Sequence, residues 1–173
     1  MQRRTILGAA AGYAAALLLG DDAFAKVLGW KVRRVRVLTH VPDTALPAVA
    51  RAVDRINGLP RGPRLSVENL GAEECPNHRR GHVVLCQAEE RDGTLGVTGI
   101  QKQGGYIVSA KVLIRVPPDN ENYEYTVVHE LGHAMGLGHN PSPDSLMYPW
   151  DTGATAFNAK DRKAWRKMYG GKR

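Results

Sequence analysis

The sequence predicts an α+β fold in which helices pack against a mixed β-sheet. Two observations lead to this prediction. Several short segments have alternating apolar residues, as β-strands do. Segments with helical spacing follow the first and the last of these strand-like segments. Residues 26–173 are long enough for a single domain with one hydrophobic core. We therefore expect one domain of sheet and helices.

Residues 1–25 are predicted to be an export signal rather than part of that domain. They begin with Arg3 and Arg4, continue through the apolar stretch 6–19, and end in Ala23-Phe24-Ala25. A membrane anchor is the alternative, but the apolar stretch is shorter than the roughly 20 residues that cross a bilayer. The paired arginines suit a twin-arginine signal as well as a Sec signal. We expect a secreted (extracellular) or periplasmic protein with no stable membrane insertion after signal removal.

The first strand and the first helix are expected to follow directly. Residues 31–41 alternate basic and β-branched side chains, which predicts a strand. Asp43 or Thr44 is expected to cap a helix that stops at Asn57-Gly58. The apolar residues at helical spacing in this helix are Leu46, Val49, Ala50, Val53 and Ile56.

Four more strands and two more helices are expected downstream. The strands are predicted at 65–70, 82–87, 95–101 and 106–116, with turns at 91–94 and 104–105. Glycines interrupt the segment 95–101, which is typical of an edge strand. Asp119 or Asn120 is expected to cap the second helix, and Asn158 the last helix. The residues of the last helix that are predicted to pack inward are Phe157, Trp165, Met168 and Tyr169.

Cys75 and Cys86 are the only two cysteines. Because they follow an export signal, they are expected to form a disulfide. In the chain-entropy model this bond would stabilise the fold by roughly 2–3 kcal/mol. A structural zinc site is the alternative, since His78 and His82 lie nearby. These two histidines and His40 lack partners at ligand spacing, so we expect them to be surface or structural residues.

The stretch HELGHAMGLGHN, residues 129–140, contains three of the six histidines of the chain. On a helix His129 and His133 lie on one face, one turn apart, and can point at a shared metal ion. A catalytic zinc takes three protein ligands and keeps one position for water. His139 can supply the third ligand only if the chain turns back, and Gly136 stands where a helix-ending residue with positive φ is needed. The spacing therefore predicts a catalytic Zn²⁺ site.

Glu130 follows the first of these histidines and is expected to project beside the metal. In that position it can act as general base toward the water that zinc activates, and it can then protonate the leaving amine. The alternative is an ordinary amphipathic helix whose polar residues have no such role, because the neighbouring apolar residues would supply a buried face in either case. The combination of three histidines, the glutamate and the glycines favours the catalytic interpretation.

The pattern H-E-x-x-H-x-x-G-x-x-H, with Met147 following in SPDSLMYP, resembles the metzincins and closely the matrixin (matrix-metalloprotease-like) branch. The resemblance implies a zincin-like catalytic domain, with a twisted five-stranded mixed sheet, an antiparallel edge strand and three helices. It also implies that His129, His133 and His139 are the zinc ligands and that Glu130 is the general base.

The resemblance assigns three further roles. Met147 would form the apolar floor below the zinc, in the Met-turn of the family. Tyr148 and Pro149 would line the pocket for the residue after the scissile bond, with Leu95 and Gly96 at the start of the edge strand completing the substrate pocket. The segment 157–170, which carries Asp161, is similar to the terminal matrixin helix.

The sequence departs from the family pattern in three places. Ser142 replaces the aspartate that usually stands three residues after the third ligand. The sequence contains no P-R-C-G-x-P-D cysteine switch, and Cys75-Pro76-Asn77 is too unlike it to count. Acidic loop clusters of the kind that bind structural zinc and calcium are not found, so one catalytic Zn²⁺ is expected and Ca²⁺ is not supported. We interpret the chain as a minimal, bacterial, exported protease.

Three functions remain open at this stage. The first is a secreted zinc endopeptidase that hydrolyses peptides or proteins, the second a zinc hydrolase of cell-wall peptides, and the third a non-catalytic metal-binding or adhesion module. The net charge of +7 would attract anionic polymers, although a solvated soluble surface explains it as well. No nucleic-acid motif accompanies the charge, so we expect no nucleic-acid partner, and we expect a monomer. Glu130 argues against the third function, because a pure zinc binder needs no carboxylate there.

Overall fold

The computed structural model describes residues 28–72 and 74–171, so the predicted export signal lies outside the described residues. A single five-stranded sheet runs through the domain, in the order β2-β1-β3-β5-β4. Neighbouring strands are parallel, except that β4 runs antiparallel to β5 at the edge. The strands are β1 (Arg34–His40), β2 (Arg64–Asn69), β3 (His82–Gln87), β4 (Gly96–Gln103) and β5 (Tyr106–Ile114). The predicted mixed sheet and its antiparallel edge strand are confirmed.

Three α-helices accompany the sheet: α1 (Leu46–Asn57), α2 (Tyr123–Ala134) and α3 (Ala159–Tyr169). Helix α1 buries Ala48, Val49, Ala52, Val53 and Ile56. Ala50 was predicted to belong to this face, but it is exposed. The positions of the neighbouring helix and strands decide which alanines of α1 are covered, and spacing within the helix does not determine those positions.

Two predicted helix caps are wrong, because the side chains bond elsewhere. Helix α1 follows a short 3₁₀ turn and begins at Leu46, and its N-cap residue Ala45 supplies no side-chain hydrogen bond. The Asp43 carboxylate instead accepts a hydrogen bond from the Asn69 side chain. Helix α2 begins after Asn122, because the Asn120 side chain accepts a hydrogen bond from the Asn122 backbone and forms a turn first. Asp43 therefore bonds to the end of β2 and Asn120 to the loop before α2, so neither side chain caps a helix.

The third predicted cap is confirmed. The Asn158 side chain accepts hydrogen bonds from the backbone N–H groups of Lys160 and Asp161, and the Asp161 carboxylate accepts one from the Asn158 backbone. This reciprocal capping box fixes the start of α3. Phe157, Trp165 and Tyr169 are buried as predicted, and Met168 packs partly against the core.

Helix α3 and the beginning of the described chain hold the C-terminal end of α2. The Trp30 indole donates to the Ala134 carbonyl at 2.9 Å, and the Tyr169 hydroxyl donates to the Met135 carbonyl at 2.7 Å. The Trp165 indole donates to the Pro60 carbonyl at 2.8 Å. The last carbonyls of α2 are therefore satisfied by distant side chains, which anchors the point where the chain leaves the helix.

The disulfide between Cys75 and Cys86 is present, as predicted, so these cysteines do not form a zinc site. Cys86 is fully buried in β3, where residues alternate between the two faces of the sheet. The bond ties the loop before β3 to the face opposite α1 and α2. His78 contacts Ser109, and His82 contacts the Arg80 carbonyl, which fits their predicted structural role.

In the described part of the chain, no helix combines the length and apolar character needed to span a bilayer.

Candidate metal centre

His129, His133 and His139 converge on one point. His129 and His133 stand one turn apart on α2, and His139 comes from the loop that follows. The Nε2 atom of His133 lies 3.0 Å from Nε2 of His129 and 3.2 Å from Nε2 of His139. In a tetrahedral zinc site with bonds of about 2.0–2.1 Å, ligand nitrogens are roughly 3.3 Å apart. The spacing of the three nitrogens therefore fits one zinc ion.

A glycine bend returns His139 to the helix. Gly136 has φ +99, a conformation that favours glycine. Its N–H donates to the His133 carbonyl at 2.8 Å, and the N–H of Leu137 donates to the Gly132 carbonyl at 3.0 Å. These two bonds form a Schellman motif, which ends the helix and reverses the chain. The predicted role of Gly136 is confirmed.

Backbone carbonyls set the tautomers of the two helical histidines. Nδ1 of His129 lies 2.7 Å from the Leu146 carbonyl oxygen, and Nδ1 of His133 lies 2.8 Å from that of Leu137. A carbonyl can only accept, so each Nδ1 carries the proton and each Nε2 directs a lone pair toward the shared point. Lone pairs at these distances repel one another unless a cation lies between them. The donor set therefore fits a metal on physical grounds.

Burial keeps these imidazoles neutral. It lowers the pKa of His129 to about 3, and the nearby His139 adds to this effect. Burial also lowers the pKa of His133 well below its usual value, again with contributions from the other two histidines. A metal ligand must be neutral imidazole, and both groups satisfy this condition across the physiological range.

A polar network fixes the loop that carries the third ligand. The Asp161 carboxylate of α3 accepts hydrogen bonds from the Asn140 amide at 2.7 Å and from the Ser145 hydroxyl at 2.6 Å. The Asn140 backbone N–H donates to the Met147 carbonyl at 2.8 Å, and the Met147 N–H donates to the Ser145 hydroxyl oxygen at 2.9 Å. The loop between His139 and Met147 is thus tied to α3 by a carboxylate that is only 3% exposed.

Met147 is fully buried beside the helix segment that carries the two helical histidines. A Cβ on Gly132 would lie 2.5 Å from the Met147 sulfur, so the side chain packs directly against the α2 backbone between His129 and His133. This placement is what an apolar floor below the ligands would require.

The side chain of Glu130 extends from α2 toward the edge strand β4. The residue is 1% exposed, and its Oε2 accepts a hydrogen bond from the Thr98 hydroxyl at 2.6 Å. Burial raises the pKa of Glu130 to about 8, against the opposing effects of the Thr98 hydrogen bond and the charge of Arg115. A buried carboxyl group with a pKa near neutrality can both take up and release a proton.

The predicted pocket residues occupy different environments. Tyr148 and Pro149 are partly exposed after the Met147 turn, and the Tyr148 carbonyl accepts a long hydrogen bond, 3.4 Å, from the Tyr125 hydroxyl. Tyr125 and Leu146 help to line a cavity of about 290 Å³. The Leu146 carbonyl oxygen also contacts Nδ1 of His129. The side chain of Leu95 is buried in the core, and Gly96 packs against Glu130. Any contact of Leu95 or Gly96 with a ligand would therefore use the backbone.

Sequence reasoning missed Thr98, Asn140 and Ser145. Threonine in a strand and polar residues in a loop are common, so these residues carry no local signal. Asp161 was noted for its position in the last helix, but its partners became visible only through the fold.

Comparisons with known proteins agree with this geometry. A family model described as Matrixin matches residues 27–170. Matrilysin of Homo sapiens is 40% identical over 53 residues, which cover 28% of this chain and 20% of that protein. Matrix metalloproteinase-A of Caenorhabditis elegans is 43% identical over 53 residues, 30% of this chain and 10% of that protein. Matrix metalloproteinase-2 of Drosophila melanogaster is 39% identical over 54 residues, 30% of this chain and 7% of that protein. The matched segments thus span a fifth or less of these three relatives.

Proposed function

The chain belongs to the matrixin family of zinc metallopeptidases, and from that premise we propose that it is an endopeptidase that hydrolyses peptide bonds in protein or peptide substrates. The observation that carries this proposal is the convergence of three imidazoles, at 3.0 and 3.2 Å between Nε2 atoms, next to the buried carboxyl group of Glu130. A site that only stored metal would have no use for a proton acceptor at that position.

Each of the site residues has a separate proposed role. His129, His133 and His139 would hold Zn²⁺, which, when bound, supplies a Lewis acid that polarises the scissile carbonyl and lowers the pKa of water. Glu130 takes a proton from the attacking water and later transfers it to the leaving amine. Met147 supports the two helical ligands from below through its contact with Gly132.

Strand β4 is the proposed binding edge for an extended substrate. It pairs with β5 on one side and is the last strand of the sheet. Its other edge can therefore add a peptide by backbone pairing, beginning at Leu95 and Gly96. The side chain that follows the scissile bond would pack against Tyr148 and Pro149, next to the cavity that Tyr125, Leu146 and Asp151 line.

Export of the protein is also a proposal. The predicted signal at residues 1–25 supports it, and so does the disulfide between Cys75 and Cys86, because such bonds persist in oxidising compartments. Cell-wall peptides form a second substrate class, which the net charge of +7 favours through attraction to anionic envelopes.

The test uses the zinc-loaded protein, a peptide library and isolated wall fragments. Glu130→Gln should retain one zinc per chain and lose turnover by about 10²–10⁴-fold, since it removes the general base. Glu68→Gln, an exposed glutamate on β2, is the matched control and should behave as the wild type. Hydrolysis by Glu130→Gln at the wild-type rate would contradict the mechanism. Cleavage of wall fragments without cleavage of any library peptide would select the second substrate class.

A further inference from the structure

We propose that Thr98, on edge strand β4, is a positioning residue that holds the carboxylate of Glu130 in its working orientation. The inference rests on the proposed function, because it assigns a support to the general base. It adds a residue outside the zinc-binding motif, from the strand at which the substrate is proposed to bind.

The hydrogen-bond geometry carries the first step. The Thr98 hydroxyl lies 2.6 Å from Oε2 of Glu130 and 3.0 Å from the Glu130 backbone carbonyl oxygen. A hydroxyl has one proton to donate, and the shorter distance directs it to Oε2. This bond therefore distinguishes the two carboxylate oxygens, because Oε2 is held by Thr98.

Burial makes the bond persistent. Thr98 is 6% exposed and Glu130 is 1% exposed, so bulk water does not compete for either group. A hydrogen bond is stronger in such surroundings than on the surface, because the local dielectric constant is lower. A glutamate side chain without this partner could rotate about its side-chain bonds, and a general base is effective only within hydrogen-bond reach of the proton that it takes.

Gly96 provides the space for this arrangement. A Cβ at position 96 would lie 2.7 Å from Cγ and 2.9 Å from Oε1 of Glu130, closer than real Cβ atoms approach. Gly96 and Thr98 stand two residues apart on β4 and therefore face the same side of the sheet. Gly96 leaves space for the Glu130 carboxyl group, and Thr98 forms a hydrogen bond with it. Both contacts come from β4, so this strand positions the general base.

The experiment compares Thr98→Val, which keeps the shape and removes the hydroxyl, with Thr98→Ser, which keeps the hydroxyl. The matched control is Thr39→Val, because Thr39 is also a fully buried strand threonine but lies on β1, with its hydroxyl near Asn69. All are measured as full-length, zinc-loaded protein for kcat, KM, zinc content and melting temperature, beside wild type and Glu130→Gln.

Thr98→Val should lower kcat by about 10–100-fold, because the variant loses the hydrogen bond that orients the Glu130 carboxyl group. KM should stay within about 3-fold of wild type, and zinc content should not change. Thr98→Ser should recover kcat to within about 5-fold of wild type, and Thr39→Val should match wild type. The proposal is overturned if Thr98→Val keeps its kcat or if Thr98→Ser is as impaired as Thr98→Val. It is also overturned if KM changes by as large a factor as kcat and the melting temperature falls as well. A different result, full activity of Glu130→Gln, would instead refute the proposed function.

Discussion

Replacing Asp161 with asparagine should loosen the loop that presents the third zinc ligand. Three donors converge on the Asp161 carboxylate: the Asn140 amide on Oδ1 at 2.7 Å, and the Ser145 hydroxyl and Asn158 N–H on Oδ2 at 2.6 and 2.9 Å. Asparagine retains one acceptor oxygen and places an amide NH₂ where the other oxygen was. At least one donor then faces another donor in a buried site.

The magnitude follows from the number of bonds that asparagine cannot replace. Loss of one hydrogen bond to a charged acceptor, with an unsatisfied buried donor, lowers the free energy of unfolding by about 2–4 kcal/mol. For a domain of this size the melting temperature of the metal-free protein should fall by roughly 5–15 °C. Because the same loop carries His139, the affinity for zinc should fall by about 10–100-fold.

Thermal unfolding of the metal-free Asp161→Asn protein and competition with a chromophoric zinc chelator measure the two effects separately. Asp54→Asn removes the same charge from an exposed position of α1 and should change the melting temperature by no more than about 2 °C. If Asp161→Asn melted with the wild type and bound zinc equally well, the network would not support the ligand loop.

Three further predictions concern the bend, the metal and the disulfide. Gly136→Ala, at φ +99, should destabilise the protein by about 1–2 kcal/mol and weaken zinc binding in the chelator assay. The control Gly93→Ala, at φ +67 with open space around it, should lower stability without changing the zinc affinity. Equal zinc affinities in the two variants would contradict the role of the bend. Removal of zinc by a chelator should lower the melting temperature, and restoring zinc to about 1,000 times its dissociation constant should raise the free energy of unfolding by roughly 4 kcal/mol. A melting temperature that does not depend on zinc would contradict the proposed metal centre. Replacing Cys75 and Cys86 with alanine should cost about 2–3 kcal/mol in urea unfolding while cleavage at low temperature continues, and unchanged stability would show that the bond adds nothing.

Features that depend on neighbouring residues followed from the sequence. The spacing of His129 and His133 specifies one helix face, and the glycine at 136 allows the turn that His139 needs, because both depend on backbone geometry within a few residues. The N-cap at Asn158 was predictable for the same reason. The cysteine pairing was a choice between few alternatives, since the chain has only two.

Features that join distant segments were decided by the tertiary structure. Thr98 and Glu130 are 32 residues apart, and Asn140 and Asp161 are 21 apart, so no local pattern connects them. The same limit explains why Ala50 was assigned to the buried face of α1 and why Asp43 was assigned to its cap. The sequence by itself determined the metal ligands, because all three histidines lie within eleven consecutive residues, 129–139. Only the packing of α3 and β4 against that segment decided which side chains hold the ligand loop and the carboxylate, because such contacts depend on where whole elements dock.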